Sequence, residues 1–206
     1  MMSTNNAFYG IIERQRLNSI RKELFRKSIH ICSSVTPLLL KYYRIPTLIL
    51  LVAGVLLYSI SELLRLKGIQ VPLISKVTET AARKRDENRF VLGPVTLVCG
   101  IFCAALFFPL EHAALGIFAL AFGDGFASLI GKLIGKVPVP GTRGKTVAGS
   151  LACFFAVFCS SFFICKSASI SFTIAFCTML IEVLPLADFD NILIPVIISG
   201  ISCFVF

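Results

Sequence analysis

Long apolar runs separated by short polar stretches dominate the chain. Seven of them approach the roughly 20 residues that a membrane helix needs: 28–43, 45–64, 91–108, 112–131, 146–165, 169–187 and 190–206. The first and last are the shortest. Upstream, 14–27 reads as an amphipathic interfacial helix, with Ile20 and Leu24 four apart on one side. The longest polar stretch is 66–89, and its Ser75 to Arg85 run is compatible with another helix. It is a solvated connector or, through Arg83, Lys84, Arg85 and Arg89, a polyphosphate contact. No tandem repeat or Ser/Gly/Pro linker interrupts the pattern. The prediction is an all-α polytopic membrane protein of about seven transmembrane helices, with a basic amphipathic segment at 1–27 and one membrane-embedded domain at 28–206.

Composition strengthens this reading. Hydrophobic residues make up 56% of the 206, and mean hydropathy is +0.87, too apolar for a soluble globule of this length. Positive charge orients the spans. Six Lys and Arg lie in the N-terminal tail, seven in 65–89 and four in 132–145, whereas the alternate side holds Lys41, Arg44 and Lys166. Seven crossings from a cytoplasmic N-terminus give this split. The tail lacks a small-residue cleavage site, so a removable signal peptide is not expected. The net charge of +9 fits attraction to anionic headgroups or to an anionic substrate. The basic residues border spans without aromatic interleaving, which argues against a nucleic-acid partner. The eight cysteines include no C-x-x-C and no histidine in ligand spacing, and they read as small hydrophobes.

A charge inside a membrane helix costs roughly 2.5–3.5 kcal/mol on insertion scales, so each one raises a functional question. Glu62 has Arg65 three residues on and reads as a structural pair. Asp124 lies deep in an apolar span between Gly123 and Gly125. On a helix, Asp124, Ser128 and Lys132 share one face, and Gly123, Ala127, Gly131 and Gly135 form a stripe that another backbone or a ligand can approach. Packing explains the glycines but not the buried aspartate.

The turn that follows, Val137 to Thr146, ends in Gly144-Lys145-Thr146. A Walker A loop needs a glycine five residues before Gly144, and Val139 stands there, so this is not one. The physics is still shared. Gly141, Thr142 and Gly144 let backbone N–H groups meet an anion, a helix N-terminus follows, and Lys145 adds a full charge. Thr146 either caps that helix or contacts a phosphate or metal.

Downstream, Glu182, Asp188, Asp190 and Asn191 surround Pro185, which opens the helix. Oxygen ligands of this kind suit Mg²⁺, which usually travels with substrate phosphates; helix capping is the alternative. Upstream, Glu23 to His30 places Arg26, a candidate phosphate ligand, and His30, a candidate proton acceptor, on one helix face beside Lys27. An interfacial anchor accounts equally well for both.

Four segments, E-L-x-R-K-x-x-H at 23–30, G-D-G-F-A-S-L-I-G-K-x-x-G-K at 123–136, P-G-T-x-G-K-T-x-A-G-S-L-A at 140–152 and E-x-x-P-x-x-D-x-D-N at 182–191, run in order along most of the chain. Together they resemble the CTP-dependent lipid kinases, a family that includes dolichol, phytol and farnesol kinases and a fungal-type diacylglycerol kinase. The resemblance implies transfer of the γ-phosphoryl of CTP, or another nucleoside triphosphate, to the hydroxyl of a membrane lipid alcohol. It makes 28–206 a kinase domain with its active site on the cytoplasmic face. In this reading Asp124, Lys145 and Glu182 are catalytic. Arg26, Lys27, Ser128, Lys132, Gly141, Thr142, Gly144, Lys145 and Thr146 bind nucleotide phosphates. Asp124, Glu182, Asp188 and Asp190 hold Mg²⁺, and His30 and Asn191 assist. Asp124 is either metal ligand or proton acceptor.

Two rivals remain at this level. Phosphatidate cytidylyltransferase shares the D-x-x-A-x-x-x-G pattern seen at 124–131, but its C-terminal signature with H-G-G and D-R is missing after Asp188. A small-molecule transporter predicts mid-membrane polarity and inverted repeats, whereas the polar residues here gather toward one side.

Overall fold

The computed structural model describes residues 2–69, 71–81, 86, 89–142 and 144–206. Arg83, Lys84, Arg85 and Arg143 lie outside the described residues. Ten α-helices account for most of what is described: α1 (Met2–Cys32), α2 (Thr36–Tyr42), α3 (Arg44–Leu66), α4 (Pro72–Ala81), α5 (Gly93–Phe107), α6 (Leu110–Phe118), α7 (Gly125–Ile134), α8 (Val147–Cys165), α9 (Ala168–Val183) and α10 (Asp190–Val205). Among the described residues there is no β-strand, and only an isolated antiparallel bridge joins Pro138 and Thr146.

Among the described residues, three helical segments are long and apolar enough to cross a bilayer: Arg44–Leu66, Leu110–Ile134 and Val147–Cys165. Gly93–Phe107, Ala168–Val183 and Asp190–Val205 are apolar but shorter. The run at 28–43 does not form one helix. Helix α1 passes unbroken through positions 27 and 28, ends at Cys32 and gives way to a 3₁₀ turn, Ser33–Val35, before α2 begins. Pro37 in the first turn of α2 supplies the reason, since it lacks the N–H that would continue the α-helical ladder from α1 and is tolerated only where a new helix begins. The expected segment boundary at 27 therefore falls inside a continuous helix. Pro185 likewise follows the end of α9, whose last helical residue is Val183.

The centre of the bundle is α6, a π-helical turn (Ala119–Asp124) and α7, running end to end. Ala113, Leu115, Ile117, Ala119, Leu120 and Ala121 on it are fully buried. Around it stand α1, α8, α9 and α10, and the last three bring Val157, Ile174, Ile194 and Ile198 into the same core. The outer surfaces are also apolar: Ile45, Leu50, Leu57, Phe155, Phe163 and Phe204 are exposed. Apolar patches on this scale are uncommon on a water-soluble monomer, and they fit a lipid surround. Helix α10 meets α5 at Gly100, where an added Cβ would lie 2.1 Å from the carbonyl oxygen of Asn191. That contact fixes the start of α10, and with it Asp190 and Asn191, against the bundle.

Candidate active site

Glu23, Arg26, Lys27 and His30 recur at helical spacing and turn one face of α1 toward the central helix. Glu23, Lys27 and His30 are buried there. The Lys27 ammonium pairs with the buried Asp124 carboxylate, and His30 Nδ1 lies 3.2 Å from the same oxygen, Oδ2. One turn further along, Glu23 pairs with Arg26, accepts a 2.7 Å hydrogen bond from Ser128 Oγ, and accepts another of 2.6 Å from Lys132 Nζ. Asp124, Ser128 and Lys132 thus share a face, and that face is turned to α1. Burial pushes the Glu23 carboxyl upward, but Arg26 and Lys27, with hydrogen bonds from Lys132 and Ser128, outweigh it and hold the group at about 2.

The π-helical turn delivers Asp124 to this face. Widened turns of this kind are rare and concentrate at functional positions; this one ends on the aspartate itself. On the other side of α7, the small residues make a seam with α8. A Cβ on Gly149 would lie 2.6 Å from the Ala127 carbonyl oxygen, and one on Gly131 would lie 3.0 Å from Thr146 Oγ1. The stripe at 123–135 is therefore a packing surface that draws the start of α8 close to Asp124.

The loop before α8 folds back on itself. Val139 N–H donates to the Lys145 carbonyl at 2.9 Å and Val147 N–H to the Val137 carbonyl at 3.0 Å. Gly141 and Gly144, with φ of 76° and 81°, supply the left-handed turns this reversal needs. Thr146 Oγ1 accepts from Gly149 N–H at 3.2 Å and caps α8. Lys145 Nζ reaches across to Glu182 Oε1 at 3.0 Å. The second oxygen of Glu182 and Nε of Arg26 are buried without a hydrogen-bond partner. Such groups carry a desolvation cost of about 1–3 kcal/mol or more each.

These elements enclose a cavity of about 370 Å³, with Arg26, Asp124, Lys132, Lys145, Glu182 and Asp190 around it. Glu23, Ser128, Gly144 and Thr146 also line it. A second cavity, of about 50 Å³, adjoins it and holds Lys27, His30, Asp188 and Asn191 in its wall. Gly141 and Thr142 line neither; Thr142 instead braces the loop, donating to the Val139 carbonyl at 2.7 Å. Asn191 Nδ2 donates to Thr96 Oγ1 at 3.0 Å, tying α10 to α5. Arg89 is exposed and gives its carbonyl to Arg65, away from both cavities. Glu62 accepts from Nη2 and Nε of Arg65, at 2.7 and 2.8 Å, and from the Val91 N–H at 2.9 Å. The residue that sequence reasoning passed over is Glu23. Its signal was its spacing from Lys27 and His30, which places three polar groups on one face of α1. Among the described residues, no group of three or more His, Cys, Asp or Glu stands ready to hold a metal ion.

Comparison with known proteins gives two informative similarities. The chain is 28% identical over 147 residues to a probable chloroplastic phytol kinase of Zea mays, covering 68% of this chain and 47% of that protein. It is 28% identical over 145 residues to the probable phytol kinase 1 of Glycine max, also chloroplastic, with the same coverage. The chain spans about half the length of the curated relatives it matches. No family model and no solved structure matches it.

Proposed function

We propose that this chain is a phytol kinase-like membrane lipid kinase, which transfers the γ-phosphoryl of a nucleoside triphosphate to the hydroxyl of a long-chain alcohol. The observation that carries this is the 370 Å³ cavity, where the cations Arg26, Lys132 and Lys145 face the carboxylates Asp124, Glu182 and Asp190. The similarity to two phytol kinases supports the same reading. The motif resemblance points to CTP as donor.

Phosphoryl transfer asks mainly for alignment and charge neutralisation. Arg26, Lys132 and Lys145 would hold the phosphates, with Gly144 and the capped start of α8 beside them. Glu23 pre-positions two of these cations through its contacts with Arg26 and Lys132. The alcohol oxygen bonds to the γ-phosphorus, and the bond from that phosphorus to the β,γ-bridging oxygen breaks. Nucleoside diphosphate leaves, and the hydroxyl proton passes to a carboxylate, which we assign to Asp124. Lys27 holds that carboxylate in place through its ion pair. Mg²⁺, when bound, would neutralise charge on the β- and γ-phosphoryl oxygens. With Asp124 assigned to the proton, Glu182 and Asp190 fit the ion as hard oxygen donors, and the unpartnered Glu182 oxygen is suited to such a role. With no ready-made cage among the described residues, the ion would arrive with the nucleotide. Seven crossings, with the N-terminus and this cavity on the cytoplasmic side, complete the proposal; the distribution of Lys and Arg supports that orientation.

The test is a purified-protein assay with nucleoside triphosphate, Mg²⁺ and phytol or another long-chain alcohol. Wild type should form the lipid monophosphate. Asp124→Asn and Lys145→Ala should each lower turnover by about 10²–10³-fold or more, while membrane insertion stays normal. Near-normal turnover in either variant removes that residue from the mechanism.

A further inference from the structure

The second cavity has a chemistry of its own. It shares Arg26, Asp124 and Asp190 with the larger one, so the Lys27–Asp124 pair stands where the two meet. At about 50 Å³ it holds one or two water-sized groups, given a liquid-water share of roughly 30 Å³ each. No nucleotide fits. Its apolar wall comes from Ile29 on α1, Val91 just before α5, and Pro94 and Leu97 on α5. Asp86, Asp188 and Asp190 line it together with Asp124, opposite the cations Arg26 and Lys27, and carboxylate oxygens of this kind accept a hydrogen bond from a neutral hydroxyl. Ile29 both lines the cavity and is exposed on the outer surface; Phe25, one turn earlier on α1, is exposed too, as is Leu92, which lies in the chain between the lining residues Val91 and Gly93. The wall of this cavity thus includes an apolar side chain that also faces the exterior of the bundle, whereas the larger one is lined mainly by charge and small residues. Val91 is held in place from behind, since its N–H donates to Glu62 and its carbonyl accepts from Tyr58 Oη at 3.0 Å.

We infer that this cavity is the acceptor subsite: the hydroxyl-bearing end of a lipid alcohol enters between α1 and α5, past Ile29, and meets Asp124 from the side opposite the nucleotide phosphates. The assignment rests on the kinase reading for the identity of the donor, but not for the binding of the alcohol. It also gives Glu62 a task as a positioning residue, fixing the wall at Val91 without touching substrate.

Photolabelling of the full-length protein in lipid nanodiscs tests it, with a saturated long-chain primary alcohol carrying a diazirine beside the hydroxyl. Adducts should map to α1 around Ile29 and to α5 around Pro94 and Leu97, and excess phytol should suppress them. Ile29→Trp, at an exposed position that tolerates size, should reduce labelling and raise the KM for the alcohol by about tenfold, a loss of roughly 1.4 kcal/mol, with the nucleotide KM within about twofold. Adducts confined to other helices overturn the subsite, as does an Ile29→Trp protein that labels like wild type. An equal loss of nucleotide and alcohol affinity also overturns it, because Ile29 lines this cavity and not the larger one. If wild type labels at α1 and α5 but phosphorylates no alcohol, the kinase reading fails and the alcohol site stands. Should Ile29→Trp fail to fold, the wild-type map decides alone.

Discussion

At the residue scale, the site is organised by buried carboxylates paired with cations: Glu23 with Arg26 and Lys132, Asp124 with Lys27, and Glu182 with Lys145. Glu23 is the clearest case, because its two oxygens reach Arg26, Ser128 and Lys132 at once. Its ionisation is tied to folding. The folded group titrates at about 2 against an ordinary value of 4.5, so its stabilisation is fully present above about 4.5 and is lost as pH falls toward 2. Glu23→Gln should therefore lower the thermal midpoint in detergent at pH 7 and flatten its decline between pH 5 and 3. A wild-type acid slope in the variant would contradict the pairing. Lys27 and Asp124 follow a harsher rule, since removing one member of a buried pair strands the other at a cost of about 3–5 kcal/mol. Lys27→Met should accordingly destabilise the protein more than the double change Lys27→Met with Asp124→Asn, a difference that chemical unfolding of the purified variants measures. Asp124 was legible in the sequence because a lone acid in an apolar run has no cheap explanation. Glu23 was not, because an acid among basic residues at a membrane surface looks like ordinary solvation until its partner helix is known.

At the scale of elements, the apolar runs give most helix positions within a few residues. The run at 146–165 becomes Val147–Cys165, and that at 45–64 becomes Arg44–Leu66. They fail where backbone chemistry cuts across hydropathy, as at Pro37, and where helical geometry changes without a change of polarity, as in the π-helical turn at Ala119–Asp124. The loop at 137–146 was recognisable as an anion-friendly turn from its glycines. Which part of it faces the cavity was not, because Gly141 and Thr142 are spent on the reversal while Gly144, Lys145 and Thr146 line the site. Close contacts between helices set the geometry. Gly100→Ala forces a methyl toward the Asn191 carbonyl and should cost about 1–3 kcal/mol. It should also slow phosphoryl transfer by displacing Asp190. Unchanged stability and rate together would show that α5 and α10 meet less tightly than this.

For the whole molecule, charge and apolar surface divide the labour. Exposed Leu, Ile and Phe side chains belong in lipid, and the polar cavity gathers residues from α1, α7, α8 and α9 with Asp190 at the start of α10. Long-range pairing of this kind, such as Lys27 with Asp124 or Lys145 with Glu182, lies beyond periodicity, because no local pattern records which helix a charge will meet. Orientation can be examined by inserting epitope tags. Tags at the N-terminus and after Thr142 should be accessible from the same side of the membrane, and a tag at Ser167 from the other. Access to all three from one side would contradict the proposed crossing of α8. The most direct test of the central claim uses purified protein, a long-chain alcohol and CTP labelled at either the γ- or the α-phosphorus, with phosphatidate offered in parallel. The account predicts γ-label in a lipid monophosphate and no α-label in lipid; α-label transferred to phosphatidate, with none of the γ-label in the alcohol, would contradict it.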